Sequence, residues 1–335
     1  MTSTTTTQGL GEQAAARWAA VGAELSAAGR SWSDVARVTE FVAVERVAEQ
    51  NELAEARTAA FGSASPAVVT VLVEHLWEDG AAVRIDVDTP ATAPDGAVHL
   101  PLVLPVGPDG EVVAPGDFRG QYTFCLEQAG ALLEGLGLSL SHLVQTIDFS
   151  TSATRDVYAR CGRPRRELLG PVFPGAAGIL VRALPHPDAL VGFELVASRH
   201  RPEAVNPGWA RYETLTYNPA VRAGEGLYGS GFAALDPVTQ QAVHADDVAA
   251  QTSYTYGSVR AVLEAAGAGP EHLTRVLEYV TPSGVPELGA LAAARDAALP
   301  GSTAAVSTVG CATLLRPEFA LEVIPTAILP PAAPA

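Results

Sequence analysis

Basic residues, thiols and long apolar runs are all scarce in this 335-residue chain. Lys and Arg number 21 against 37 Asp and Glu, giving a formal net charge of -16. Such a surface repels phosphate backbones and is not drawn to anionic bilayers, so neither nucleic acid nor a membrane is an expected partner. The three cysteines, Cys125, Cys161 and Cys311, are an odd number without CxxC spacing, which argues against a disulfide framework or a cysteine-held zinc. The seven histidines form no HxH or HxxxH pair, so no metal is expected. Gly224, Gly226 and Gly229 do not open a helix in a βαβ unit, so no dinucleotide and no other cofactor is called for. No apolar run has the length of a membrane span. The threonine-rich start MTSTTTTQGL lacks the basic and apolar regions of a secretion signal, and a cytoplasmic location is the expectation.

What the chain does have is self-similarity. Three stretches repeat an alanine-rich helix, a glycine, a short connection and a β-branched run. They are AAARWAAVGAELSAAGRSWSDVARVTEFV around Gly29, CLEQAGALLEGLGLSLSHLVQTIDFS around Gly137 and YGSVRAVLEAAGAGPEHLTRVLEYV around Gly267. A repeated unit implies repeated geometry and shared interfaces. With 48% hydrophobic and 17% charged residues the chain is globular, and each unit is large enough to bury a core.

The spacing predicts a helix over 13–28 with Gly29 as its left-handed stop, a strand over 35–44, a helix over 48–61, and strands over 67–76 and 81–88. Glu78–Asp79–Gly80 reads as a hairpin turn between the last two. TPATAPDGA marks a boundary, and RHRPEAVNPGW marks another. The expected organisation is a disordered tail over 1–10, a truncated unit over 11–89, and fuller units over 97–200 and 212–330. The first lacks the opening strand pair that HLPLVLPV–GPDG–EVVA gives the second and LTYNPAVRAGEGLYGSGFAALDPVTQQAV gives the third.

The third unit carries a family resemblance. YNPAVRAGEGLYGSGFAALDP, the helix and glycine stop of DDVAAQTSYTYGSVRAVLEAAGAGPEHLTRV, and the closing strand ALEVIPTAIL resemble the RidA/YjgF superfamily. GPDGEVVAPGDFRGQ, LLEGLGLSLSHLVQTIDF and LPHPDALVGFELVAS repeat the pattern in the second unit, and the first repeats only its later half. The resemblance implies an α+β fold of three chorismate-mutase-like modules, fused as a pseudo-trimer with sheets in a central barrel and helices outside. Pockets would lie between neighbours, and the chain would act as a monomeric pseudo-trimer or a homodimer. Apart from the name, an exposed sheet edge must be paired or covered, and three modules can close one another's edges.

Site residues follow from the same resemblance. Imine-hydrolysing members hold a substrate carboxylate with an arginine after Pro-Ala at the start of the penultimate strand, a role suited to its planar fork. This chain has Val68, Ala176 and, nearest in the third unit, Ser307. Ordinary 2-imino acid deamination is therefore not expected. The closing-strand glutamate is Glu322, with Arg84 and Gly192 at the corresponding places in the other units. Flanked by apolar residues, Glu322 is the candidate general acid or base. Tyr217 matches the family's pocket tyrosine. Ser230 and Gly231 end the family's strand, Phe232 would make the pocket more apolar, and Ser307 and Cys311 complete the expected substrate site. Arg163–Pro164–Arg165–Arg166 reads as a solvated loop that could attract an anion.

Three functions stay open. The first is acid–base chemistry on a small-to-medium imine, enamine, enol or β-keto substrate, by hydrolysis, tautomerisation or cyclisation, in specialised metabolism. The second is a chorismatase-like hydrolase or lyase, since STAAV followed by Glu322 is similar to the C-terminal end of those enzymes. The third is a non-catalytic ligand-binding or scaffold protein, in which Glu322 would be paired or solvent-facing.

Overall fold

The computed structural model describes residues 8–78 and 80–330. Among these are six α-helices and three β-sheets. In the first unit α1 (Leu10–Ala27), β1 (Arg37–Ala43), α2 (Gln50–Phe61), β2 (Ala67–Val73) and β3 (Val83–Asp88) follow in order. The second has β4 (Ala97–His99), α3 (Phe118–Gly135), β5 (Leu143–Thr151), α4 (Gly162–Leu168), β6 (Gly175–Val181) and β7 (Val191–Ser198). The third opens with β8 (Glu203–Val205), β9 (Ala220–Ala223) and β10 (Gly226–Gly229). It continues with α5 (Val248–Ala265), β11 (Leu273–Val280), α6 (Leu288–Ala298), β12 (Ala305–Gly310), β13 (Thr313–Leu314) and β14 (Leu321–Ile328).

Each repeated helix ends as its glycine dictates. Gly29, Gly137 and Gly267 have φ of 69°, 73° and 75°. The residue after each donates back to the helix, as Arg30 to Leu25, Leu138 to Leu133 and Ala268 to Leu263. This Schellman closure turns the chain sharply into the next strand. The apolar stripe of α1 (Leu10, Ala14, Trp18, Val21, Leu25) is buried at helical spacing. That helix starts at Leu10, whose N–H donates to Glu49 at 2.9 Å; residues 1–7, in the expected tail, lie outside the described residues.

One pairing expectation fails. The strands flanking Glu78 and Gly80 do not form a hairpin, because β1 lies between them in the order β2-β1-β3. β1 runs parallel to β2 and antiparallel to β3. Asp79, in the expected turn, lies outside the described residues. The same split βαβ arrangement recurs as β6-β5-β7 and β12-β11-β14.

Each sheet covers its own helices with one face, and all three turn the other to a common apolar cluster. Phe41, Val71, Phe149, Ile179, Tyr279 and Ile324 are among its members. The edge of each penultimate strand is met by the next unit. Leu102 N–H donates to Val68 O on β2 at 2.9 Å, β13 pairs with β6, and Gly310 N–H of β12 donates to His75 O at 2.9 Å. Neighbours thereby satisfy backbone groups that an open edge would leave unpaired. A buried ion pair ties the three sheets: Arg37 of β1 bonds Asp88 at 2.7 Å and pairs with Glu194 of β7, which Arg275 of β11 also approaches at 3.5 Å.

Candidate functional site

Strand register superposes the three units residue by residue. Phe41, Phe149 and Tyr279 stand opposite Arg84, Gly192 and Glu322 on the closing strands, which fixes these three as counterparts. One residue earlier come the carboxylates Glu40, Asp148 and Glu278, opposite Thr70, Gly178 and Thr308 on the penultimate strands. The helix between those strands supplies an arginine in every unit: Arg57, Arg165 and Arg295.

In the first and third units these groups close on one another. Glu40 accepts from Arg57 at 2.7 Å and from Thr70 at 2.6 Å. Glu278 accepts from Arg295 at 3.2 Å, from Tyr256 at 2.6 Å and from Thr308. Both carboxylates are buried and each is held by an arginine and a threonine; in Glu40 both bonds go to Oε2.

The second unit departs from this pattern. Asp148 is a methylene shorter than its counterparts and faces a glycine instead of a threonine. The Tyr158 hydroxyl packs where a side chain at 178 would start, and donates to Asp148 at 3.1 Å. Tyr122 and Ser150 add bonds of 3.3 Å. Arg165 does not reach Asp148; it donates to Tyr122, Thr146 and the Thr216 carbonyl at 3.0–3.2 Å. Carrying Thr216, it fixes the neighbouring Tyr217.

The result is a cavity of about 270 Å³ between the second and third units. Asp148, Arg165, Tyr217, Gly231, Arg316 and Glu322 are on its wall, with Tyr122, Tyr158 and Phe319 as aromatic lining. Glu322 is 8% exposed. Burial, then the charge of Asp148, pushes its carboxyl up to about 8; the Gly178 backbone N–H offsets this only in part. Asp148 is pushed up to about 6 by burial, opposed by Arg165 and the three hydroxyls. Tyr217 stacks edge-on against Tyr212 at 5.5 Å, and burial beside Glu322 raises its phenol. Among the described residues no ion pair or side-chain hydrogen bond engages the Arg316 guanidinium.

Glu322, Tyr217 and Gly231 thus meet in one cavity. The other sequence candidates do not line it. Ser230 is one residue from Gly231 but turns away, accepting from Ala176 N–H at 2.8 Å and donating to Asn218 O at 2.5 Å. Phe232 alternates to the helix side of its sheet, in the core with Val248 and Tyr256. Ser307 is at the contact of the first and third units, held by Asp86 and by Arg84 at 3.2 Å. Cys311 is 2% exposed in the common apolar cluster, where burial raises its thiol. The physical reason is the order of the units. The closing strand of the third unit faces β6 of the second, whereas β12 faces the first. Residues on β12 and β14 therefore serve different interfaces.

Sequence reasoning missed Asp148, Arg316, Tyr122 and Tyr158, and took Arg165 for a solvated loop residue although it is 3% exposed on α4. The signal was present as two exceptions at matched repeat positions, Asp for Glu and Gly for Thr.

Residues 210–329 match the family model described as Endoribonuclease L-PSP. No curated protein matches the chain. Among solved structures, the YjgF gene product of E. coli is 22% identical, with 38% of this chain and 98% of that one covered at a TM-score of 0.34. Rv2704 from Mycobacterium tuberculosis, a member of the YjgF/YER057c/UK114 family, is 23% identical over 38% of this chain and 99% of that one, at a TM-score of 0.33. PA3499 from Pseudomonas aeruginosa is 26% identical over 39% and 94%, at 0.34.

Proposed function

With its C-terminal unit, residues 210–329, belonging to the RidA/YjgF superfamily, we propose that this chain is an enzyme of three fused units with one working cavity, between the second and third. Glu322 acts there as a general acid on a small organic substrate of the imine, enamine, enol or β-keto type. The observation that carries this reading is a carboxyl buried on a cavity wall with, among the described residues, no cation bonded to it; burial pushes that carboxyl up to about 8. Tyr217 orients the reacting group. Units over 11–89, 97–200 and 212–330 form the pseudo-trimer, and the common cluster is the inside of its barrel; cyclic pairing of the three sheet edges supports both.

The substrate carries a carboxylate. The family's strand arginine is absent, but Arg316 reaches the wall from the loop before β14, unpaired and suited to a bidentate clamp. A net charge of -16 disfavours RNA as the substrate. A non-catalytic scaffold would have Glu322 paired or facing solvent, and it does neither. A second reading, a chorismatase-like hydrolase or lyase, draws support from Arg165 and Arg316 on one wall, since a dicarboxylate needs two cations.

Turnover of phenylpyruvate (enol–keto interconversion) and of chorismate by wild type and Glu322→Gln tests the proposal. The expected outcome is activity on one of them, reduced at least about 100-fold in the variant. Undiminished turnover by Glu322→Gln would remove Glu322 from the mechanism.

A further inference from the structure

We propose that Asp148 is a second catalytic carboxyl of this cavity, the base that takes a proton from one substrate atom while Glu322 delivers a proton to another, so that the site catalyses a proton shift. The inference rests on the reading of Glu322 as an acid and adds the reaction class. It is carried by the contrast between three matched positions. Glu40 and Glu278 are each closed by an arginine and a threonine, whereas among the described residues Asp148 keeps only hydroxyl donors and lines the same wall as Glu322.

Gly178 sits between the two carboxyls in the fold. It is the strand partner of Asp148 and its N–H faces Glu322. A threonine there, as in the sister units, would occupy the place of the Tyr158 hydroxyl. The groups facing Asp148 are Tyr122 on α3, Tyr158 and Cys161 in the segment after β5, Arg165 on α4, Ser150 on its own strand and Glu322 on β14. Hydroxyl donors and a nearby guanidinium favour its ionised form, while burial and then the charge of Asp148 favour the protonated form of Glu322, opposed by the Gly178 N–H. At pH 7 one carboxyl is therefore ionised and the other protonated, the division that separates base from acid in paired-carboxyl sites.

The step balances without an outside reagent. A substrate C–H or N–H proton passes to Asp148, and the electron pair of that bond moves into a new double bond. The π pair of the old double bond takes the proton of Glu322. The cycle closes when the proton on Asp148 returns to the Glu322 carboxylate.

The test combines phenylpyruvate enol–keto interconversion across pH with a 13C carboxyl titration of the ligand-free full chain, in wild type, Asp148→Asn, Tyr158→Phe and Glu322→Gln. The expected result for Asp148→Asn is a kcat at least about 100-fold lower and loss of the rising limb. In the titration, the Glu322 midpoint moves down by about one unit once its anionic neighbour is gone. Tyr158→Phe, which keeps the carboxylate but removes a donor to it, stays active with its rising limb moved to higher pH. Retention of kcat within about threefold in Asp148→Asn, with Glu322→Gln inactive, overturns this inference and leaves the earlier reading standing. If Glu322→Gln is fully active, the earlier reading falls instead. Should wild type leave phenylpyruvate unchanged, the titration decides: an unmoved Glu322 midpoint in Asp148→Asn overturns the pair.

Discussion

Asp148 stands directly opposite Gly178 across β5 and β6, where both sister units oppose a glutamate to a threonine. From this exchange follow the diversion of Arg165, the entry of Tyr158 and the opening of the cavity.

Restoring the sister pattern should close it. In Gly178→Thr the new side chain overlaps the Tyr158 hydroxyl. We expect loss of phenylpyruvate binding by calorimetry and a stability cost of about 1–3 kcal/mol from overpacking.

Gly231→Ala probes the acid without touching its charge. A Cβ at 231 would collide with Glu322 Oε1 and lie 2.9 Å from Ala177 Cβ. The expected outcome is a kcat at least about 10-fold lower, with a stability cost of about 1–3 kcal/mol from overpacking against Ala177. Unchanged kcat would show that the position of Glu322 does not matter.

Stability should fall as pH rises through the upper range. Glu322 binds its proton more tightly folded than unfolded, so its contribution is full below the ordinary carboxylate range and is lost as pH climbs through about 8. The maximum size is roughly 5 kcal/mol, from about 1.4 kcal/mol per pKa unit over the rise from the ordinary value to about 8. Urea midpoints between pH 5 and 9 should therefore drop less in Glu322→Gln than in wild type.

Arg316→Gln should raise KM for phenylpyruvate at least about 10-fold with a smaller change in kcat, because the clamp acts on the ground state and transition state alike. Steady-state kinetics at two salt concentrations check it.

At the meeting of the three sheets, Glu194→Gln leaves Arg37 and Arg275 sharing one fewer buried anion. A loss of about 3 kcal/mol is expected, read as a lower urea midpoint at unchanged m-value.

Much of the fold was legible because the repeats carry their own punctuation. Gly29, Gly137 and Gly267 are needed at positive φ, so each marks a helix end. Turn residues around Gly80 announced a reversal but could not say that β1 intervenes between β2 and β3. Pairing is a property of the sheet, and local composition reports only direction. The site was legible where a residue type is unusual in place: a glutamate among apolar residues at 322, an aromatic at 217. Ser307 and Cys311 were drawn in because they share a unit with Glu322. The working interface, however, joins the third unit to the second, and nothing in one unit's sequence states which neighbour its closing strand will face. Asp148 and Gly178 speak only when the three copies are compared in strand register.

The most direct test of the account is a crystal of the full chain soaked with phenylpyruvate. The ligand is expected between the second and third units, its carboxylate on Arg316 and its reacting carbons beside Glu322 and Asp148. A cavity left empty, with Glu322 bonded to a neighbouring cation, would contradict it.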